Sequence, residues 1–165
     1  MKRLYLVRHA KSSWNHPELT DFERSLNKRG KRDAPEMGER LASKEVSLDL
    51  MVSSTATRAI TTAGIIAQKI GYPVARIVEE EAIYAAQWAG LMAVVQDLPD
   101  ESDTVMLVGH NPGFTELAEY LTGAQIDNMP TCAVVCADFD LASWRDVSKG
   151  GGEMVFFDYP KNSQD

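Results

Sequence analysis

Thr104-Val105-Met106-Leu107-Val108-Gly109-His110-Asn111-Pro112-Gly113 is the stretch whose reading decides the fold. Its apolar run, 105–108, is too brief for a helix and reads as a strand buried on both faces, the mark of a parallel sheet. Gly109 ends that strand. Pro112 then suits the first turn of a helix running to about Leu121, which Gly123 closes. A strand passing directly into a helix is the unit from which α/β folds are built.

Outward from this stretch the unit recurs. Leu4-Tyr5-Leu6-Val7 is a second short apolar run. Residues 48–52 read as a strand ending at Ser53-Ser54-Thr55, where Ser54 or Thr55 can cap the next helix. That helix carries Ala59, Ile60, Ala63, Ile66, Ala67 and Ile70, and stops at Gly71 and Pro73. Ala34, Met37 and Leu41 lie at helical spacing over 33–43, and 91–98 repeats the pattern up to Pro99. Two further strands are predicted over 133–139 and 154–159. The alternation predicts an α/β three-layer sandwich, a mostly parallel sheet with helices on both faces. Such sheets place ligands outside the carboxyl ends of their strands.

The size, 165 residues and 18.2 kDa, fits one domain over 1–165, large enough to hide roughly 70% of the surface its unfolded chain exposes. With 44% hydrophobic and 25% charged residues the composition is that of a folded globule and excludes disorder. No run approaches the ~20 apolar residues of a membrane span, and no signal peptide or membrane partner is expected. Cys132 and Cys136, four apart in one apolar stretch, read as reduced, buried thiols, so a cytoplasmic location is expected. The net charge of −7 argues against nucleic-acid binding. It is unevenly spread: residues 1–58 hold 12 Lys and Arg against 8 Asp and Glu, residues 59–165 only 5 against 16. A basic third in an acidic protein points to one local anion site, beside the simpler reading of a solvated basic helix around 28–32.

Three strand ends carry polar sequence that a core does not need. They are Arg8-His9-Ala10-Lys11-Ser12-Ser13-Trp14-Asn15, Ser53-Ser54-Thr55-Ala56-Thr57-Arg58 and Gly109-His110-Asn111-Pro112-Gly113. Arg58 in the first turn of a helix opposes the helix dipole unless an anion lies between them. Two histidines with two arginines suit phosphoryl transfer through an imidazole. The nitrogen attacks phosphorus and holds it as a phosphoramidate, while guanidinium forks hold the equatorial oxygens. The scheme requires no metal and no cofactor. Glu79, Glu80 and Glu81 are consecutive and so point to different sides, which does not make a metal site. No phosphate-binding G-x-x-x-x-G-K-[ST] loop, no G-x-G-x-x-G and no G-x-S-x-G occurs, and Cys132-x-x-x-Cys136 lacks a nearby histidine for zinc.

With these residues assembled, the chain resembles the histidine phosphatase superfamily, of phosphoglycerate-mutase-like fold, and within it the small bacterial phosphohistidine phosphatase (SixA-like) branch. The resemblance rests on Arg8-His9-Ala10, Asp21-Phe22-Glu23-Arg24-Ser25-Leu26, Ser53-Ser54 with Arg58-Ala59 and Thr62-Ala63, Gly109-His110-Asn111-Pro112, and Tyr159-Pro160-Lys161. It implies that His9 is the nucleophile and that Arg8, Arg58 and His110 form the phosphate pocket, His110 also stabilising the transition state. It further implies phosphate contacts from Asn15 and Arg24; His16 matches nothing. Ala10 stands where the signature has glycine, and Lys11 where many members carry Glu or Gln; both departures favour hydrolysis over mutase chemistry.

Many relatives protonate the leaving oxygen with an acid on an inserted lid. Only 51 residues separate Arg58 from His110, which leaves no room for a lid subdomain. Glu81, or its neighbours Glu79 and Glu80, is the candidate to approach the site instead. An open site and an imidazole leaving group favour a phosphorylated protein, carrying phosphohistidine, as partner and substrate. The alternatives are a phosphatase of small phosphate esters and a non-catalytic phosphate-binding module. No heptad or long apolar stripe demands more than a monomer. Core or rim packing is the expectation for Trp14, Trp88 and Trp144.

Overall fold

In the computed structural model, which describes residues 1–161, the strands are β1 (Lys2–Arg8), β2 (Leu50–Ser53), β3 (Val78–Glu79), β4 (Thr104–Gly109), β5 (Val134–Phe139) and β6 (Glu153–Asp158). The long helices are α1 (Lys28–Ser43), α2 (Thr57–Ile70), α3 (Trp88–Gln96) and α4 (Gly113–Thr122). All six strands join one sheet in the order β3-β2-β4-β1-β5-β6. The four strands from β3 to β1 are mutually parallel, β5 is antiparallel to β1, and β6 is antiparallel to β5. Only β5 therefore runs against the rest, and the expected mostly parallel sheet is what forms.

The apolar runs in β1 and β4 are continuous because both faces of these central strands are covered. Leu4, Leu6, Val105 and Leu107 pack with Leu91 and Val95 of α3 and Phe114 and Leu117 of α4. Tyr5, Val7, Met106 and Val108 pack on the other face with Met37 and Leu41 of α1 and Ala63 and Ile66 of α2. Each such fully buried aliphatic side chain contributes about 1.5–3 kcal/mol of transfer free energy. Two helical layers on one sheet make the predicted three-layer α/β sandwich.

Several boundaries differ from the sequence reading. α1 starts at Lys28, five residues before the periodic segment, because Asn27 caps it by accepting from the Gly30 amide at 2.8 Å. Its first turn is mostly basic and carries no apolar signal. α2 has Ala56 at its N-cap with no side-chain cap, so neither Ser54 nor Thr55 caps it. The Ser54 Oγ accepts instead from the Ala56 amide and lies against His110.

Both cysteines are free and buried, and burial pushes the Cys132 thiol up to about 12 and that of Cys136 to about 11. Trp144 is a core residue whose indole donates to the Ser102 carbonyl at 2.7 Å. Trp88 stacks on Tyr120 with centroids 4.3 Å apart, whereas Trp14 is 74% exposed. No helix among the described residues is long and apolar enough to cross a membrane.

Arg8 at the end of β1 pairs with Gly109 at the end of β4, and Ser53 at the end of β2 pairs with Val108. The three polar strand ends are thereby neighbours at the same edge of the sheet.

Candidate active site

His9 and His110 leave adjacent parallel strands one residue past the Arg8–Gly109 pair, and their ring centroids stand 5.2 Å apart. The His9 backbone is clamped on both sides: its amide donates to the Gly109 carbonyl at 2.9 Å, and its carbonyl accepts from Cys132 at 3.0 Å. Gly109 itself must be glycine for close packing, since a Cβ there would stand 2.5 Å from the Phe114 ring. Ala10 is wholly buried, with its amide bonded to Thr62 Oγ1 at 3.0 Å, and does not adopt the left-handed conformation that would call for glycine.

The His9 Nδ1 lies 2.7 Å from the Ala10 carbonyl, an acceptor, so Nδ1 carries the hydrogen. The lone pair is left on Nε2, which faces the Arg58 Nε at 3.4 Å. Burial, with the nearby His110, Arg58 and Arg8, pushes the His9 pKa down to about 3 and outweighs the Ala10 bond, which raises it. Burial and the charge of Arg58 likewise lower His110 to about 4. Both imidazoles are neutral at physiological pH, as a nucleophile must be.

These shifts predict a pH dependence of stability. The unfolded chain protonates both rings near pH 6.5, whereas the folded chain keeps them neutral down to about 4 and about 3. In that interval the unfolded state binds more protons, so stability falls as the pH drops from about 6.5 towards 4. Urea midpoints measured at pH 7, 5.5 and 4.5 should decline, and the decline should flatten in His9→Gln/His110→Gln.

Around the rings lie three guanidiniums. Arg58 gives Nη1 to the Asp21 carbonyl at 2.5 Å and Nη2 to its carboxylate at 3.0 Å. Arg24 gives Nε to the same carboxylate at 3.2 Å and Nη1 to Ser12 Oγ at 2.6 Å. Arg8 gives Nη1 to the Met129 carbonyl at 2.9 Å, while its Nε is buried with no partner among the described residues. Burial and the charge of Arg58 lower the Arg8 pKa, a cost that a bound anion offsets. Ser54 Oγ, which already accepts from Ala56, is free to donate to His110 Nε2 at 2.7 Å. That tautomer leaves a hydrogen on His110 Nδ1, a second buried atom without a partner. The orphaned Arg8 Nε–H and His110 Nδ1, beside three guanidiniums, form an arrangement that an anion with several acceptor oxygens completes.

Of the residues predicted from sequence, Arg8, His9, Arg58, His110 and Arg24 line one cleft of about 200 Å³. Asn15 and Glu81 do not line it. Asn15 is exposed, with its backbone amide on Ser13 Oγ, and Glu81 is exposed in the short 3-10 turn Glu81–Ile83. A larger groove of about 430 Å³, between Leu50, Val52 and Val94, holds no histidine or arginine. Among the described residues no three His, Cys, Asp or Glu side chains cluster as metal ligands.

The sequence reading did not single out Asp21 and Tyr84. The Asp21 carboxylate joins Arg58 and Arg24 and accepts from the Tyr84 hydroxyl at 2.7 Å; the Tyr84 bond foremost, then that of Arg58, holds its pKa down at about 2. The anion that Arg58 requires at the start of α2 is thus supplied in part by the chain itself. The spacing of three between Asp21 and Arg24 is a weak signal for it; Tyr84, 63 residues away from Asp21, carries none.

The sequence profile of the histidine phosphatase superfamily (branch 1) matches residues 4–91, which include Arg8, His9 and Arg58. An uncharacterised chloroplastic protein of Arabidopsis thaliana is 34% identical over 88% of this chain and 70% of its own. An uncharacterised protein of Mycobacterium tuberculosis is 30% identical over 94% of this chain and all of its own. A crystal structure from Agrobacterium tumefaciens, assigned the name phosphohistidine phosphatase SixA, superposes with a TM-score of 0.81 at 27% identity, covering 94% of this chain and 96% of that one. The protein histidine phosphatase SixA complexed with tungstate shares the fold at 19% identity and a TM-score of 0.81, covering 96% and 97%. On the profile match, the relatives and the shared fold together, this chain belongs to the histidine phosphatase superfamily and, within it, resembles the SixA-like branch.

Proposed function

We propose that this phosphatase works through a covalent phosphohistidine at His9 and draws its phosphoryl group from phosphohistidine on a protein. The observation that carries the reading is the His9 imidazole itself, buried, neutral, with Nδ1–H held by the Ala10 carbonyl and the Nε2 lone pair turned to the Arg58 guanidinium that would hold the phosphoryl group. Nε2 attacks phosphorus as the bond to the leaving group breaks, and the pair of electrons in that bond departs with the leaving group. The Arg8 Nε, the Arg58 and Arg24 guanidiniums and His110 Nδ1 receive the equatorial oxygens. Water then attacks the phosphorus, the P–Nε2 electron pair returns to Nε2 to restore the neutral Nδ1–H imidazole, and dihydrogen phosphate leaves with the oxygen and both protons of the water. No step is routed through a metal, so turnover is expected to survive EDTA.

The substrate class follows from the carboxylates. A departing alkoxide needs a proton, but Asp21, the carboxyl nearest Arg58, is held ionised by Tyr84 and Arg58, and Glu81 does not line the cleft. An imidazole protonated on its far nitrogen leaves as a neutral ring and needs no such acid. We expect kcat/KM on phosphohistidine to exceed that on phosphoserine or glycerol phosphate by about a hundredfold or more. Equal rates on the alkyl esters would replace this reading with a small-ester phosphatase. Tight phosphate binding without turnover of any donor would replace it with a binding module.

A further inference from the structure

The basic first turn of α1 is not used by the chemistry above, yet the fold sets it against the active-site loop. Asn27 donates its amide to the Lys11 carbonyl at 3.0 Å, Ser13 to the Ser25 carbonyl at 2.8 Å, and Ser12 and Leu26 form an isolated bridge. Gly30 packs so tightly on Lys11 that a Cβ would lie within 2.1 Å of its carbonyl oxygen. Lys11 lines the catalytic cleft, and Lys28 and Lys31 stand exposed on the turn packed against it. None of these three lysines has an ion-pair or side-chain hydrogen-bond partner among the described residues. The neighbouring carboxylates are engaged elsewhere: Asp33 with Arg29, Glu23 with Thr20, Glu18 near His16, and Asp21 with the site arginines.

Two exposed aromatics stand in the same loop. Trp14 is 74% exposed at the mouth, one face lying 3.5 Å from the Arg24 guanidinium, and Phe22 is 39% exposed, edge-on to Tyr84. Exposed aromatics beside an arginine are the anchors that protein-binding surfaces favour, and solvated lysines around them fit the polar rim of such a surface. Residues 59–165 hold 5 Lys and Arg against 16 Asp and Glu, so unpaired positive charge at this rim contrasts with an acidic remainder, the condition under which negative partners are steered.

Resting on the phosphohistidine reading above, we propose that Lys11, Lys28 and Lys31, with Trp14 and Phe22, form a docking rim for a protein whose phosphorylated histidine sits in an acidic surface. The rim sets which phosphoproteins are served, and the cleft performs the transfer.

Two short synthetic peptides test this, each with one histidine phosphorylated by potassium phosphoramidate, one flanked by glutamates and one by lysines, with free phosphohistidine as reference. The wild type should prefer the acidic peptide by about tenfold in kcat/KM at low salt, and the preference should shrink towards unity at about 0.3 M NaCl. Lys28→Glu/Lys31→Glu should abolish or reverse the preference while free phosphohistidine is turned over as before. Acidic side chains at a helix N-terminus suit its dipole, so this variant keeps its fold. Turnover of free phosphohistidine with no preference between peptides overturns the docking rim and leaves the catalytic reading standing. A preference that persists in the double variant also overturns it, since the cleft arginines alone then account for the selection. Failure to turn over any of the three donors overturns the catalytic reading instead.

Discussion

His9→Ala is expected to lower kcat/KM on phosphohistidine by about four orders of magnitude or more, because it removes the atom that the proposed scheme bonds to phosphorus. The size of the effect follows from the absence of a substitute. The other imidazole in the cleft, His110, has its Nε2 held against Ser54 Oγ and its ring packed against Tyr84, so it is not free to take the place of His9. Rapid quench with a 32P-labelled donor should trap an acid-labile adduct that maps to His9 in the wild type and vanishes in the variant. Because the ring is neutral and is held only by the adjacent Ala10 carbonyl and a long contact from Arg58 Nε, the variant should still fold, which circular dichroism can check. Retention of full activity would remove the covalent scheme altogether.

Arg58→Ala should produce the second largest loss, about a thousandfold, with kcat falling further than KM rises. This guanidinium donates to His9 Nε2 through Nε and fixes Asp21 through both Nη atoms. On the proposed scheme its removal therefore takes away transition-state charge, and it frees one side of the carboxylate that holds Arg24. Arg58→Lys separates the two contributions. A point charge without the planar fork cannot face His9 and hold Asp21 together, so lysine should recover at most about tenfold of the loss. Recovery to wild-type rates would mean that positive charge alone, and not its geometry, serves the reaction.

The parts of the fold that were legible in the sequence are those whose physics is local. Residues 105–108 and 4–7 read as strands because burial on both faces requires unbroken apolar runs, and the two prove to be neighbours at the centre of the sheet. The parts that were not legible depend on pairs far apart in the chain. The first turn of α1 escaped the periodic pattern because its basic residues face solvent and an asparagine cap, not packing, starts it. Ser54 carries the chemistry of a cap, but the end of β2 places it beside His110, and the fold uses its hydroxyl there. Asp21 sits in an exposed turn, 37 residues from Arg58, and nothing nearby in the sequence reports that contact.

By itself the sequence determined the strand–helix alternation, the two central strands, and the identity of the arginines and histidines at three strand ends, since residue type and spacing are enough to state each of these. The tertiary structure alone decided that those ends are neighbours in register, that Asp21 and Tyr84 join the site while Asn15 and Glu81 stand apart from the cleft, and that a basic turn borders it. The physical reason is that hydrogen-bond register and helix packing, not sequence distance, set which polar groups share a desolvated space, and only there do a lone pair, an orphaned donor and a fixed carboxylate acquire their chemistry.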